Sequence, residues 1–287
     1  MVRRRSAFVF TFVSAAVALS GAVAACGSFG STEESAAAPD AQLGADVLAA
    51  VDAPGVDAGG SVDARPLEGM VAVPKGKFFI DAHEVTNAQY TTFLLALNGG
   101  VAANDERSEC SWKTTHERVT TSCKPAADGE APVTCVDWCD ANAFCRHYGK
   151  RLCGKIGGGS ADLAFLTSAT HSQWMLACAG VNGAPYPYAD GGVGTCTTQS
   201  SDMGLVPVGS KPGCVGNVEG LFDMSGNALE WEDANGAPTD GGAAAQQAFA
   251  RGGSFRNPIA SCMCSYVSPP YARKQIFDNI GFRCCSP

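Results

Sequence analysis

The stretch PVTCVDWCDANAFCRHYGKRL, residues 132–152, shows in miniature how this chain is built. Asp137 is a typical N-cap residue, and Gly149 is a typical residue just beyond a helix C-terminus. Between them, helical spacing aligns one apolar face, made of Ala141, Phe144, Cys145 and Tyr148. The stretch also carries three cysteines. It therefore predicts a short one-faced helix in a domain held together by disulfides.

Similar patterns lie on both sides of this stretch. MVAVP at 70–74 alternates weakly and ends at a proline, as an opening strand would. TNAQ at 86–89 is a capping box, and the apolar positions that follow at helical spacing are Tyr90, Phe93, Leu94 and Leu97. A third helix is expected around 171–178 with Trp174 inward. After residue 180 only short apolar pieces alternate with turn residues, so we predict an α+β, loop-rich, disulfide-stabilised fold.

The composition limits the compartment and the partners. The chain has 287 residues, 14 cysteines, only 4 histidines and no pair of CxxC motifs, which disfavours a zinc or iron–sulfur site. Many cysteines without metal-ligand spacing indicate an oxidising compartment with several disulfides. A formal net charge of -8 argues against a nucleic-acid partner. Beyond the N-terminus, the sequence has no apolar run long enough for a membrane helix.

The N-terminus reads as an export signal. Three arginines at positions 3–5 precede an apolar run at 7–19, and VAAC at 23–26 places small residues before Cys26. We predict a lipoprotein signal peptide at 1–25, a lipidated Cys26 with a disordered Ala/Asp/Gly-rich tether at 26–68, and one domain at 69–287. The predicted partner is the membrane, through the lipid on Cys26. The alternative is ordinary cleavage that leaves Cys26 a plain thiol. Gly27 rather than aspartate follows, so we expect the outer membrane of a bacterial cell envelope.

Setting Cys26 aside leaves an odd number of cysteines in the domain. At least one thiol is therefore unpaired, intermolecular or functional. The plain alternative to a functional thiol is a buried, inert cysteine.

Five segments together resemble one family: EVTNAQYTTFL (84–94), residues 132–152, GLFDMSGNALEW (220–231), RGGSF (251–255) and GFRC (281–284). The chain resembles the formylglycine-generating enzyme, or sulfatase-modifying factor, family. That resemblance implies a C-type-lectin-like fold and calcium held by oxygen ligands. The matching calcium candidates are Asn227 and Glu230, with Asp223 nearby. The alternative is that Asn227 caps a turn and Glu230 is a solvated acid.

The resemblance also implies a copper(I) site. Active members oxidise a cysteine of a sulfatase chain to formylglycine with oxygen, using two cysteines separated by four residues. In this sequence the second position is Cys262, but the first is Asn257, whose neutral amide cannot replace a thiolate on copper(I). Cys264 is a candidate second thiolate. The alternative is a disulfide from Cys262 or Cys264 to Cys284 or Cys285.

Two further positions match the family's catalytic site. Ser254 matches its active-site serine, and Trp231 its pocket tryptophan. The alternatives are a turn-bonding serine and a core tryptophan. Arg251 is a candidate partner for the acidic residues Glu230, Glu232 and Asp233. The stretch that begins at residue 151 is longer than in the family, and we expect it to form a surface loop with Cys153 and three glycines.

Two functions remain open from the sequence. The first is a copper-dependent oxidase of cysteine thiols in an exported protein or peptide, which predicts two reduced thiols near Ser254. The second is a non-catalytic ligand- or protein-binding module of the cell envelope, which predicts no metal in the pocket and Cys262 in a disulfide. A third and weaker interpretation is a purely structural envelope protein. Fold alone does not decide between them.

Overall fold

The computed structural model describes residues 68–75, 78–97, 100, 107–188, 192, 194–199, 204–236, 242 and 246–286. The predicted signal peptide, Cys26 and nearly all of the predicted tether lie outside these residues. Within the described part of the chain, no helix is both long and apolar enough to cross a bilayer.

The predicted helices are present. They are α1 (Asn87–Ala96), α2 (Trp138–His147) and α3 (Gln173–Ala179). At the start of α1, Thr86 Oγ1 accepts a hydrogen bond from Gln89 N at 3.2 Å, and Thr86 N donates to Gln89 Oε1 at 2.9 Å. Asp137 and Asp140 form the same reciprocal box at α2. Both helices therefore begin where local capping chemistry predicts.

The apolar face of α2 is shorter than predicted. Ala141, Phe144 and Cys145 are buried, but Tyr148 follows the last helical residue as C-cap and is 38% exposed. The predicted face therefore ends with the helix, because a residue beyond the last turn no longer follows helical spacing.

Short strands, with 3-10 turns such as Ser108–Cys110, Leu163–Phe165 and Ile259–Ser261, form the remaining regular structure of the described residues. In chain order the strands are β1 (Met70–Val73), β2 (Phe78–Asp81), β3 (Arg151–Leu152), β4 (Ala161–Asp162), β5 (Leu229–Glu232), β6 (Ala234–Asn235), β7 (Gln247–Arg251), β8 (Tyr271–Ala272), β9 (Ile280–Gly281) and β10 (Cys284–Cys285). One sheet has the order β1-β2-β10-β3, a second β8-β7-β5-β9, and β4 pairs with β6.

The second sheet brings distant motifs together. In the antiparallel β5–β7 pair, Glu230 lies opposite Arg251, and β5 also runs parallel to β9 with Glu230 opposite Gly281. The motifs at 220–231, 251–255 and 281–284 are therefore neighbours in space.

Six disulfides cross-link the described residues, which confirms the disulfide-stabilised fold. The pairs are Cys110–Cys139, Cys123–Cys135, Cys145–Cys284, Cys153–Cys285, Cys178–Cys264 and Cys196–Cys214. Cys262 is the one free cysteine of the described chain, and it is buried. The prediction of at least one unpaired cysteine in the domain is therefore confirmed, and that cysteine is Cys262.

The predicted disulfide from Cys262 or Cys264 to the C-terminal cysteines is wrong. Successive residues of a strand point to opposite faces, so β10 presents its two adjacent cysteines to different sides of the sheet. Cys284 bonds Cys145 on α2, while Cys285 bonds Cys153 just after β3. Neither sulfur is available to the segment around Cys262.

The long stretch after residue 151 is a surface loop only in part. Gly157, Gly158 and Gly159 have positive φ and open space around them. Cys153, in contrast, is 1% exposed and disulfide-bonded, and a Cβ on Gly154 would lie 2.6 Å from Gly159 O. The start of this stretch is therefore fixed to the core.

Candidate active site and ligand cleft

The glycines of the RGGSF motif allow a tight approach to Cys262. Gly252 and Gly253 have φ of +86° and +70°, a region that favours glycine. A Cβ on Gly253 would lie 2.5 Å from Cys262 Sγ and 2.6 Å from Ser261 O. The turn at 252–253 therefore packs directly on the cysteine segment and delivers Ser254 beside it.

The Ser254 hydroxyl is engaged within this turn. It donates to Asn257 Oδ1 at 2.7 Å and accepts a hydrogen bond from Asn279 Nδ2 at 3.0 Å. Ser254 itself is fully buried. The structure thus brings Ser254, Asn257 and Cys262 together, as the family motif predicts, but Asn257 holds the hydroxyl in a turn-closing hydrogen bond.

Cys262 is a buried thiol with weak partners. Its Sγ lies 3.6 Å from Pro258 O, and the residue has no exposed surface. Burial raises the pKa of the Cys262 thiol to about 12. The thiolate is the form that attacks electrophiles and binds soft metals, so this cysteine is poorly suited to both at neutral pH.

Cys264 cannot supply the second thiolate that we predicted. Its sulfur is bonded to Cys178 on α3, which fixes the segment after Cys262 to that helix. Copper(I) in a two-coordinate site needs two soft sulfur ligands. One protonated thiol at Cys262 and one amide at Asn257 do not fit that ion, and the structure supports no step through copper.

Trp231 lies in the core. Its Nε1 donates to Val136 O at 3.1 Å, and its ring makes an edge contact with Tyr271 at 6.0 Å between centroids. The residue is 1% exposed. These contacts account for a tryptophan here by packing, and its role in a pocket stays a prediction.

The predicted calcium ligands are already occupied by protein groups. Asn227 Oδ1 accepts a hydrogen bond from Val206 N at 3.1 Å, and its Nδ2 donates to Glu84 Oε2 at 2.8 Å. Both Glu230 oxygens accept from Arg283, at 2.8 Å each. A hard cation needs free oxygen lone pairs, so this donor set does not fit calcium.

The alternative for Glu230, a solvated acid, is wrong. Glu230 is 1% exposed and forms a two-point ion pair with Arg283, which is fully buried. On the same face of β5, Glu232 pairs with Arg251 at 3.0 Å. The predicted role of Arg251 as a partner of the acidic run is therefore confirmed, with Glu232 as the partner.

Trp174 connects the two buried ion pairs. Its Nε1 donates to Glu230 Oε2 at 2.8 Å, and the Arg251 guanidinium lies 4.6 Å from its ring centroid. The sequence pattern by itself assigns no role to Glu84 or Arg283, although both lie within the quoted motifs. Only 17% of the residues in this chain are charged. A charged residue inside an apolar motif is therefore unusual here, and this feature of the sequence points to both residues.

Around the Glu230–Arg283 ion pair, acidic side chains outnumber basic ones. Glu84 and Asp223 lie close enough to Glu230 for their charges to interact with it, and Arg283, which pairs directly with Glu230, is the cation whose charge also acts on the other two. Burial, then the charges of Asp223 and Glu230, raises the pKa of Glu84 well above its usual range. Burial raises the pKa of Asp223 to about 6. We expect at least one of these acids to hold a proton at neutral pH.

A separate cleft of about 340 Å³ lies at the N-terminal end of α2. Sequence reasoning did not find it, because its walls come from three distant segments. The lining residues include Trp112, Lys113, Val119, Asp137, Lys274 and Ile276. Neither Ser254 nor Cys262 lines it, so it is distinct from the family's catalytic position.

Together these features define a loop-rich, disulfide-stabilised α+β domain of the formylglycine-generating-enzyme type. The chain belongs to the family described as the sulfatase-modifying factor enzyme 1-like domain, whose model matches residues 51–286. This match confirms the family that the five motifs predicted. No curated protein matches the sequence.

Solved structures with a similar fold include CarF, with 20% identity over 73% of this chain and 86% of that one, at a TM-score of 0.48. PvdO from Pseudomonas aeruginosa has 20% identity over 72% of this chain and 79% of that one, at a TM-score of 0.47. Treponema denticola variable protein 1 has 18% identity over 73% and 84%, at a TM-score of 0.40.

Proposed function

We propose that this chain is a non-catalytic ligand- or protein-binding module of the cell envelope, built on the formylglycine-generating-enzyme fold. The observation that carries the proposal is the state of the cysteines. Cys264 is bonded to Cys178, and Asn257 stands at the other position of the family's pair, so Cys262 is a lone thiol. Its burial keeps it protonated at neutral pH.

The disulfides indicate an extracellular or periplasmic location, because such bonds persist in oxidising compartments. We further propose that the lipid on Cys26 holds the domain at the membrane, with the outer membrane as its destination. A long acidic segment between the anchor and the domain would let the module reach ligands at a distance from the bilayer.

The alternative is a copper-dependent oxidase of cysteine thiols in an exported protein or peptide. The proximity of Ser254 and Cys262 is what favours it. It requires a second thiolate, and the carboxamide of Asn257 is too hard a ligand for copper(I). The binding module is therefore the better supported of the two functions.

A copper(I) titration tests the proposal. The mature protein and its Asn257→Cys variant are titrated against a copper(I) chelator under a mild reductant, with the six disulfides verified by mass spectrometry. We expect the natural protein to leave copper on the chelator and the variant to gain about one tightly bound ion. Asn257→Ser is the matched control, because it changes the same position without adding a sulfur.

One outcome would overturn the binding-module function. If the natural protein retains copper(I) and consumes oxygen in the presence of a cysteine-containing peptide, it is an oxidase with an altered site.

A further inference from the structure

The walls of the cleft at the start of α2 are held by covalent and backbone bonds. Disulfides join Cys110 to Cys139 and Cys123 to Cys135, so the segment between residues 110 and 123 is fastened to the α2 region at both ends. On the other side, Cys135 N donates to Phe277 O and Trp138 N donates to Arg273 O. The cleft is therefore preformed, which lowers the entropy cost of binding.

The acids at the bottom of the cleft are satisfied by the protein. Lys113 Nζ lies 2.5 Å from Asp137 Oδ2 and 2.7 Å from Asp140 Oδ1. The other two oxygens of the pair accept the capping hydrogen bonds from the α2 backbone. His116 Nδ1 contacts Asp140 Oδ1 at 3.0 Å. Each carboxylate oxygen therefore already has a partner.

Unlike the oxygens of Asp137 and Asp140, the two lysines of the cleft still have N–H groups that can donate to a ligand. An ammonium group has three N–H bonds, and the two carboxylates take two of those on Lys113. Lys274 is exposed at the cleft wall and has no ion-pair partner among the described residues. Apart from the exposed carboxylate of Glu117 at its edge, the cleft thus offers an incoming group the donors of Lys113 and Lys274.

The charge around the cleft is close to balanced. Burial, then the charge of Asp140, raises the pKa of Asp137 to about 7, so this acid is partly protonated at neutral pH. Asp137 and Asp140 together then carry about one and a half negative charges beside Lys113, and Lys274 supplies a second positive charge. Glu117 is the other acid of the lining, and it is exposed, so water screens its charge.

The remaining lining is apolar. Trp112 is half-buried, Val119 is 49% exposed, and Ile276 is half-buried beside Lys274. Exposed apolar surface in a preformed cleft favours a ligand with an apolar body.

We propose that this cleft is a ligand site that takes a small carboxylate with an apolar body, either a free acid or the C-terminal residue of a chain. Lys274 and the spare N–H of Lys113 receive the carboxylate. Trp112, Val119 and Ile276 contact the body. This inference rests on the proposed binding function and assigns its ligand class.

The test is calorimetric titration of the oxidised mature protein with N-acetyl-phenylalanine. The matched neutral probe is N-acetyl-phenylalaninamide, which differs only in the charge of the terminal group. We expect the acid to bind with a Kd of about 1 mM and the amide to bind about tenfold more weakly. Binding of the acid should strengthen from pH 8 to pH 6, as Asp137 gains its proton.

Lys274→Gln should weaken the acid about tenfold and leave the amide unchanged, since an exposed side chain contributes little to folding. Glu117→Gln is the control in the same cleft. It removes a negative charge and should keep or strengthen binding of the acid. Equal affinities of the acid and the amide would overturn the proposal, and so would no effect of Lys274→Gln or no heat up to about 10 mM.

A tripeptide that ends in phenylalanine separates the two sources of the carboxylate. Tighter binding than the single residue indicates the end of a chain, and equal binding indicates a free acid. The copper(I) titration described above is independent of the cleft. If that titration shows an oxidase while Lys274→Gln still weakens binding of the acid about tenfold, the proposed binding function is wrong and the proposed ligand site in the cleft remains supported.

Discussion

Cys178 and Cys264 are joined by a disulfide that ties α3 to the residues just after Cys262. The two bonded cysteines are 86 residues apart in sequence. Because the sulfur of Cys264 is in this bond, it cannot act as the second thiolate beside Cys262. Because Cys264 is fixed to α3, the nearby Cys262 is held under the glycine turn at 252–253. Cys262 has no exposed surface there. One cross-link therefore stabilises this region and leaves a single thiol in it.

The thiol state can be read directly by alkylation. Without reductant, we expect iodoacetamide to leave the native domain unlabelled, because Cys262 is buried with its pKa raised to about 12. Denaturation without reductant should then label Cys262 alone. Cys262→Ala is the control and should show no label in the domain. A label on Cys264 would contradict the cysteine pairing.

Removing one partner of the buried Glu230–Arg283 pair should be costly. Glu230→Gln removes the carboxylate that pairs directly with the buried Arg283 guanidinium and leaves it only the charges of Glu84 and Asp223. We expect a loss of about 3 kcal/mol in the free energy of unfolding. Chemical denaturation measures it. The matched control is Asp278→Asn in the exposed pair with Arg256, which should change stability by less than about 1 kcal/mol. Equal losses in the two variants would show that burial is not the cause.

Calcium chelation should leave the domain unchanged. The oxygens of Asn227 and Glu230 already accept hydrogen bonds from Val206, Arg283 and Trp174, and the positive charge of Arg283 on Glu230 opposes a second cation there. We expect the same Tm in excess EDTA and in excess calcium, by calorimetry. A rise in Tm on adding calcium would show that the folded domain binds calcium, which the contacts of these two residues do not explain.

The stability of the domain should depend on the protonation of Asp137. Its pKa is about 7 in the folded protein, raised by burial and then by Asp140. The folded state therefore binds a proton more tightly than the unfolded chain, so this contribution to stability is full below pH of about 4 and falls as pH rises through 7.

Asp137→Asn tests that dependence, because asparagine also caps a helix. The variant should show a smaller loss of stability between pH 5 and pH 8, measured by chemical denaturation across this range. An identical pH slope in the variant would assign the effect to other buried acids, such as Glu84 or Asp223.

The lipid anchor is testable in cells that export the protein. With a labelled fatty acid, the mature chain should incorporate the label and partition into detergent, since two or more acyl chains bind a bilayer stably. Cys26→Ser should lose the label and enter the aqueous phase. If Cys26→Ser keeps the label, the lipid is not attached at Cys26; if the natural chain is never labelled, ordinary signal cleavage explains the N-terminus.

The local features of the fold were predictable from sequence. The helices are preceded by the N-cap residues Thr86, Asp137 and Ser172, whose side chains each accept a hydrogen bond from a free backbone N–H three residues on. Such capping depends on neighbours in sequence alone, so it can be read without a fold. The ion pair of Arg251 with the acidic run was predictable because a charged side chain buried in a small apolar core needs an opposite charge beside it.

What the sequence by itself determined is the class of the protein: a cysteine-rich chain, the family that five ordered motifs predicted and the family model confirmed, and an odd number of cysteines in the domain. Only the tertiary structure decided which sulfurs pair, because strand β10 turns Cys284 and Cys285 to opposite faces. It also decided that Glu230 is buried against Arg283, and that Lys113 and Lys274 meet at one cleft. Pairing, burial and clefts depend on contacts between residues far apart in the chain, and short-range patterns carry no record of those distances.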